Sequence, residues 1–338
     1  MAMKKTKRIF FISAVTIVLL LLGIKAYNSY RFHLEKKTCF MMDTYITIYA
    51  LGPEKITAPA INKAFDRMQE IDKKFSNLNP ESPIYAFNQQ GIPITDTEIL
   101  KVAGMALKVS EKSGGAFDIT VMPLAELWGF YGGGTPHVPG NDEIRECLAD
   151  TGYQGLTIDK GALVKTKKKI RIDLGGIAKG YGIGEAVKVL KAAGVKSALI
   201  DAGGDVYAMG RRGNRLWKVG IKNPNAEGIL GYLEVEDLAV MGSGDYERFF
   251  IEKGKKYHHI FDPRTGYPAE GLSGITLLHP DPMVADAWNT ALFVMGPEKA
   301  MKLVEDTQSM ETIMVTTSGE ISFSSGLRGS LNLISKNE

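Results

Sequence analysis

The sequence predicts an α+β protein in which mixed β-sheets pack against helices in a single folded unit, which could comprise two lobes. Segments with helical periodicity are mixed with short segments rich in β-branched residues. The turns between neighbouring strands are short, unlike the regular strand–helix alternation of a parallel sheet. No repeat of fixed period and no low-complexity linker interrupts residues 38–333. A chain of 338 residues is long enough for one large domain or two small ones.

The N-terminal end has the pattern of an uncleaved signal anchor. Four basic residues precede the uncharged run Ile9–Ile24, which is 16 residues long. As a helix it would extend about 24 Å, slightly short of a standard span, although Lys25 could snorkel. No small-residue cleavage site follows, so a cleaved signal peptide is the weaker alternative. We expect residues 1–25 to be a membrane anchor, residues 26–37 a polar stalk, and residues 38–333 a domain outside the cytoplasm.

The composition excludes several classes of protein. The net charge of +3 comes from the basic cluster before the apolar run, since the rest of the chain has 37 basic and 38 acidic residues; the cluster is Lys4, Lys5, Lys7 and Arg8. We therefore expect no nucleic-acid partner. Two cysteines, Cys39 and Cys147, do not make a disulfide framework, and no cluster of Cys and His predicts zinc.

Local patterns predict the elements of the folded part. Cys39–Ala50 is rich in β-branched and aromatic residues and predicts a strand. Thr57 is the predicted cap of a helix with apolar residues at helical spacing, and Thr95 and Glu98 form a capping-box pattern for the next helix. Further strands are predicted at LTID, LVKT and KIRID, and the last third of the chain alternates strand, turn and helix.

The stretch Arg171–Leu190 predicts a short strand, a glycine-rich turn and a helix. It matches neither the dinucleotide-binding pattern nor the Walker loop. Asp173 ends the predicted strand and Lys179 lies at the start of the predicted helix. Free backbone N–H groups there favour an anion, and a cation could join through oxygen ligands. A tight turn without any ligand explains this stretch equally well.

A second candidate site lies in ADAWNTALFVMG. Asp286 and Thr290 are four residues apart, so on a helix they share one face. Carboxylate and hydroxyl oxygens suit Mg²⁺ or Ca²⁺, although such a pair alone is more often a solvated helix face. His258 and His259 are adjacent and would point to opposite sides of a strand, so at most one of them reaches a site.

Seven motifs, in the same order along the chain, resemble the ApbE family of flavin transferases. The resemblance covers nearly the whole chain after the predicted anchor. It implies an ApbE-like fold and a Mg²⁺-dependent enzyme that takes FMN from FAD, attaches it to a Ser or Thr of a target protein and releases AMP. The motifs are MDT, GAFDITV, DLGGIAKGY, DAGGD, SGDYERF, HIFDPRTGYP and ADAWNTALFVMG.

Carried over by position, the resemblance also implies the site residues. The implied Mg²⁺ ligands are Asp286, Thr290 and the backbone carbonyl of Gly176, where family members often have alanine. At the position of Leu78 the family often has Tyr or Trp, so we expect less stacking on the flavin here. Met-Asp-Thr replaces the usual Met-Gly-Thr. The implied FAD contacts are Met42, Leu78, Ala116, Phe117, Asp118, Asp173, Lys179 and His259.

These residues predict a mechanism with named alternatives. The phosphate at the glycine turn would be the FAD diphosphate, which Mg²⁺ polarises. His259 is the candidate general base because the unperturbed pKa of histidine lies near neutrality, and Asp245 or Asp286 are alternatives. With water as nucleophile the same site would be an FAD pyrophosphatase. A non-catalytic flavin-binding protein outside the cytoplasm is the third possibility, but mere binding would not need a metal. The expected acceptor is a membrane-associated or extracytoplasmic protein.

Overall fold

The computed structural model describes residues 15–23 and 33–334. Residues 15–23 form a helix, α1, whose side chains are exposed. In these two described ranges, no helix has both the length and the apolar character needed to cross a bilayer. The predicted anchor run Ile9–Ile24 lies partly outside the described residues, so the anchor stays a prediction.

A hairpin opens the folded domain. The segment Cys39–Ala50, predicted as one strand, belongs to two antiparallel strands, β1 (Leu34–Met41) and β2 (Thr44–Leu51). Met42 and Asp43 form the turn, with left-handed φ values of 51° and 58°. The expectation of a single strand is wrong because the turn contains neither glycine nor asparagine, the usual signals of such a turn. Because β1 begins at Leu34, the end of the predicted stalk is also part of the sheet.

The remaining strands form hairpins and a long central sheet. Sequence correctly predicts strands at LTID and LVKT. The strands are β3 (Leu156–Asp159), β4 (Ala162–Lys165), β5 (Ala198–Ala202), β6 (Asp205–Met209), β7 (Trp217–Lys222), β8 (Ile229–Val235), β9 (Leu238–Gly244), β10 (Phe249–Glu252), β11 (Lys255–His258), β12 (Leu272–His279), β13 (Glu311–Thr316), β14 (Ile321–Phe323) and β15 (Asn332–Leu333).

Within the described residues eight further α-helices accompany these strands, and two of the predicted caps are wrong. The cap of α2 is Pro53, while Thr57 lies inside the first turn and its hydroxyl donates to the Pro53 carbonyl. The cap of α4 is Asp96 rather than Thr95, because the Asp96 carboxylate accepts the N–H groups of Glu98 and Ile99. The helices are α2 (Glu54–Phe75), α3 (Pro83–Gln90), α4 (Thr97–Lys112), α5 (Met122–Leu127), α6 (Asn141–Ala149), α7 (Gly175–Ala192), α8 (Pro282–Met295) and α9 (Pro297–Glu305).

The segment KIRID, predicted as a strand, does not join a β-sheet in the structure. Its backbone N–H groups form individual hydrogen bonds instead. Ile172 N donates to the Asn88 side chain at 2.8 Å, and Asp173 N donates to the Ile119 carbonyl at 2.7 Å. The apolar alternation therefore reflects burial of Ile170 and Ile172 in the core rather than a place in a sheet.

The central sheet separates two cores, which confirms the α+β class. Its order is β1-β2-β5-β6-β9-β12-β13-β14, and every neighbouring pair is antiparallel. On one face, Ile46 and Ile48 of β2 pack with Met68 of α2 and Ile183 of α7. On the other face, β6 packs on the small sheet β15-β8-β7. The N-terminal part of α7 lies at the sheet end that holds the β1–β2 and β5–β6 turns, because Lys179 pairs with Asp205 and Gly182 lies against Met42.

Candidate active site

A close contact between α7 and α8 organises the site. A Cβ atom on Gly180 would lie 2.2 Å from the Pro282 carbonyl oxygen and 2.7 Å from the Asp286 Cβ, so only glycine allows this approach. The Gly180 N–H donates to Asp286 Oδ2 at 2.7 Å. In a regular helix that N–H donates to the carbonyl of Gly176, so the Asp286 carboxylate competes with this carbonyl for its donor.

Asp286 is a buried carboxylate with one oxygen uncommitted. The residue is 6% exposed, and within the described part of the chain Oδ1 accepts no hydrogen bond. Burial raises the pKa of Asp286 to about 7; the charge of Lys179 opposes this shift, and the charge of Asp205 adds to it. Such a group is rare in a core that has only a structural role, because an unpaired carboxylate is costly to bury.

Thr290 lies on the same helix face, beside the start of α7, as its spacing from Asp286 predicts. A Cβ atom on Gly176 would lie 3.7 Å from Thr290 Oγ1 and 3.1 Å from Phe117 Cε2. The Thr290 hydroxyl makes no hydrogen bond to the described residues. The structure thus brings together Gly176, Asp286 and Thr290, the three residues that the sequence predicts as metal ligands.

Lys179 has a partner that sequence reasoning missed. Its ammonium forms an ion pair with Asp205 Oδ2 at the start of β6. Asp205 is 3% exposed, and its other oxygen accepts the Gly242 N–H of β9 at 2.9 Å. Burial alone would lower the pKa of Lys179, but the charges of Asp205 and Asp286 outweigh it and hold that pKa above its usual value. The motif DAGGD contains this aspartate, but its spacing from Lys179 gives no signal of the pairing.

The segment Ala116–Asp118 contacts the start of α7 through Phe117. The Asp118 carboxylate is held inside the protein by the N–H and hydroxyl of Thr120 and the N–H of Tyr153, at 2.7–2.8 Å. Burial raises its pKa, and these hydrogen bonds oppose the rise. The Asp118 carboxylate is therefore committed to its own loop, and the FAD contacts expected of Ala116, Phe117 and Asp118 stay a prediction.

Asp173 and Met42 border the same region. Asp173 Oδ1 accepts the N–H of Gly175, the first residue of α7, at 2.7 Å. One of the helix-start donors that could hold an anion is therefore already used. Met42 packs on α7, since a Cβ atom on Gly182 would lie 3.3 Å from its sulfur. Leu78 is 70% exposed, which leaves its predicted flavin contact a prediction.

The two adjacent histidines have different environments, as expected for opposite faces. His258 is buried, and its Nε2 donates to the Ala269 carbonyl at 2.9 Å. His259 Nδ1 lies 3.2 Å from the Arg248 carbonyl, so the proton belongs on Nδ1 and Nε2 is left unprotonated. Burial, reinforced by the charge of Arg248, lowers the pKa of His259 to about 3, which keeps the ring neutral at physiological pH.

Two other carboxylates near these motifs pair with basic side chains. Asp245 Oδ2 pairs with Lys256 at 2.6 Å, and Asp245 is 3% exposed. Asp262 holds Arg264 by two hydrogen bonds at 2.7 and 2.8 Å within its own turn. Asp262 is therefore committed within its own turn, whereas Asp245 Oδ1 is buried without a hydrogen-bond partner among the described residues.

Buried charges, a neutral histidine and uncommitted oxygens at one end of a sheet define an enzyme active site rather than a structural core. The sequence matches the ApbE family over residues 42–314. An FAD:protein FMN transferase from Vibrio cholerae serotype O1 is 31% identical over 294 residues, which are 84% of this chain and 87% of that protein. One from Klebsiella pneumoniae is 34% identical over 276 residues, which are 78% of this chain and 85% of that protein.

Solved structures show the same fold. The crystal structure of the ApbE protein from Thermotoga maritima superposes with a TM-score of 0.82 at 33% identity, covering 88% of this chain and 99% of that one. The flavin transferase ApbE from Vibrio cholerae gives a TM-score of 0.80 at 28% identity, covering 89% of this chain and all of that one. The chain is therefore an enzyme that belongs to the ApbE family of flavin transferases.

Proposed function

We propose that this enzyme transfers FMN from FAD to a Ser or Thr hydroxyl of a target protein, releases AMP and requires Mg²⁺. The observation that carries the proposal is the meeting of Asp286, Thr290 and Gly176 between α7 and α8. The family relationship supports FAD as the flavin donor and a protein as the acceptor, since relatives at about 30% identity are FAD:protein FMN transferases.

The residues present fit a magnesium ion. Within residues 15–23 and 33–334, no three His, Cys, Asp or Glu side chains cluster as a metal site, so a cation here depends on neutral oxygens besides one carboxylate. Asp286 Oδ1, the Thr290 hydroxyl and the Gly176 carbonyl are all hard oxygen donors, which Mg²⁺ prefers. When bound, the ion would supply a Lewis acid for the diphosphate.

His259 is the best placed of the three candidate bases. The acceptor hydroxyl oxygen would form a bond to the FMN-side phosphorus, the bond from that phosphorus to the bridging oxygen would break, and AMP would leave. The hydroxyl proton would pass to His259 Nε2, which is unprotonated because Nδ1 carries the ring proton towards the Arg248 carbonyl. In the substrate-free fold the pKa of His259 is low, and the negative charge of a bound diphosphate would raise it towards the range that a general base needs. Asp245 is buried and paired with Lys256, and the uncommitted oxygen of Asp286 would be taken by the metal, so both carboxylates are weaker candidates.

We place the catalytic domain outside the cytoplasm, anchored by the N-terminal helix. Support comes from the basic cluster before the apolar run and from α1, whose leucines from Leu19 to Leu22 are 56–64% exposed. Protease added to intact cells, after removal of any wall, should digest the domain while a cytoplasmic control survives. Full protection of the domain would contradict this placement.

The reaction itself separates the proposed function from its alternatives. The full chain is incubated with FAD, Mg²⁺ and membrane or secreted proteins from the same cells, and covalent flavin is followed by fluorescence in denaturing gels. A fluorescent acceptor band with release of AMP supports FMN transfer. Free FMN with AMP and no labelled protein would indicate a pyrophosphatase, and unchanged FAD would indicate a binding protein; either result contradicts the proposal.

A further inference from the structure

Arg248 is the uncommitted cation of the site. Within the described ranges its guanidinium forms no ion pair or hydrogen bond, and the residue is exposed. Lys179, the cation that sequence reasoning assigned to FAD, is instead held by Asp205. Of the two cations near a bound diphosphate, Lys179 therefore has its charge balanced by Asp205, and Arg248 has an unbalanced charge.

The hairpin of β10 and β11 fixes where Arg248 lies. Phe250 pairs with Tyr257 across the two strands, and their rings stack with centroids 5.3 Å apart. Two residues before Phe250 along the chain, Arg248 accepts the His259 N–H on its carbonyl at 3.1 Å. Residues two apart on a strand share a face, and so do residues directly opposite each other. Arg248 and His259 therefore continue the face formed by Phe250 and Tyr257.

That face is directed towards the start of α7. His259 lies beside Phe130, with ring centroids 6.4 Å apart, and Phe130 also packs on Phe250 at 5.7 Å. Burial lowers the pKa of His259 and raises that of Asp173, and the charge of Arg248 adds to the first shift and opposes the second. Asp173 accepts the first N–H of α7. Arg248 is thus paired with the candidate base through the backbone, and its charge reaches the residue that caps the start of α7.

We propose that Arg248 binds the diphosphate of FAD, an inference that rests on the proposed function of the site. A guanidinium presents several donors in a planar fork that fits phosphate oxygens, and it stays charged at every physiological pH. Beside His259, it would hold the phosphate that the acceptor hydroxyl attacks and would offset the negative charge that develops there. Lys179, whose charge is balanced by Asp205, keeps its predicted role as a second contact to FAD.

Binding of two flavins by the full chain tests this role. Riboflavin has the flavin ring without phosphate, so FAD and riboflavin are titrated in parallel by quenching of flavin fluorescence, with EDTA present to prevent turnover. Arg248→Ala should weaken FAD binding about ten- to a hundredfold and leave riboflavin binding unchanged. Arg248→Lys should fall between the wild type and Arg248→Ala. The matched control is Lys253→Asn, which removes a charge from the exposed tip of the same hairpin at a φ of 49° that Asn tolerates.

The outcomes separate this inference from the proposed function. Unchanged FAD affinity in a folded Arg248→Ala protein, or an equal loss for riboflavin, would overturn the role of Arg248. So would an equal loss in Lys253→Asn. Wild-type enzyme that binds FAD but transfers no FMN would contradict the proposed function instead, while the dependence of FAD binding on Arg248 could still be measured.

Discussion

Replacing Gly180 with alanine should separate the two helices that form the site. The new Cβ would lie 2.2 Å from the Pro282 carbonyl oxygen and 2.7 Å from the Asp286 Cβ, whereas ordinary contacts begin at 3.4 Å. The Pro282 oxygen belongs to the backbone and cannot rotate away. The α7 and α8 backbones must therefore move apart by about 1 Å, and overpacking of this kind costs about 1–3 kcal/mol.

The expected loss of stability is smaller than the loss of activity. Alanine gains up to about 1 kcal/mol over glycine in a helix, which offsets part of the overpacking. With the full offset, the net effect should be a destabilisation of about 0–2 kcal/mol. The displacement also breaks the hydrogen bond from Gly180 to Asp286 and moves Asp286 and Thr290 away from Gly176. We therefore expect FMN transfer to fall by tenfold or more at saturating Mg²⁺, with a modest decrease in Tm.

Gly184→Ala provides the matched control for this experiment. It lies one turn later on the same helix, and its Cβ would meet only the Pro282 ring, at 3.3 Å. We expect its thermal unfolding and its FMN transfer to stay close to those of the wild type, because the ring of Pro282 can adjust and alanine favours the helix. Wild-type Tm and activity in Gly180→Ala, or equal losses in both variants, would refute the reasoning.

Four further substitutions test separate parts of the site. Gly176→Ala should retain most activity, because a backbone ligand survives and only Phe117 must shift by a few tenths of an ångström; loss of Mg²⁺ response would contradict this. Lys179→Ala should cost roughly 3 kcal/mol in chemical denaturation, since it leaves Asp205 buried without its partner, and Asp205→Asn should cost less. The pKa of His259 is about 3 in the folded protein and 6.5 in the unfolded chain, so below pH 6.5 the unfolded chain binds a proton that the folded protein does not. The free energy of unfolding should therefore decrease as the pH falls below 6.5, by as much as about 1.4 kcal/mol per pH unit. His259→Gln should remove that slope in urea melts between pH 4 and about 7, and an unchanged slope would show that His259 is not the source.

Helical periodicity predicts the part of the site that lies on one element. Asp286 and Thr290 are four residues apart on α8, and this spacing fixes their shared face whatever packs against it. Similarly, the alternation of adjacent side chains correctly predicts that His258 and His259 have different environments. These relationships are local, so the sequence contains them in full.

Relationships across the fold could not be predicted in this way. Asp205 meets Lys179 because the order of strands in the central sheet places the start of β6 beside α7. Arg248 joins the site because a separate hairpin pairs it with His259. The left-handed turn at Met42 also lacks the residues that usually mark such turns. In each case the three-dimensional partner decides the role, and spacing along the chain does not reveal that partner.

The most direct test of the central claim is the balance between AMP released and FMN attached to an acceptor protein. Tandem mass spectrometry of the acceptor locates the flavin, and chromatography of the same reaction measures AMP. We predict one AMP for each FMN, with FMN in a phosphoester on a Ser or Thr, and no transfer by a folded Asp286→Asn variant, because the amide lacks the charge that Mg²⁺ requires. AMP released with only free FMN, or full transfer by Asp286→Asn, would contradict the account.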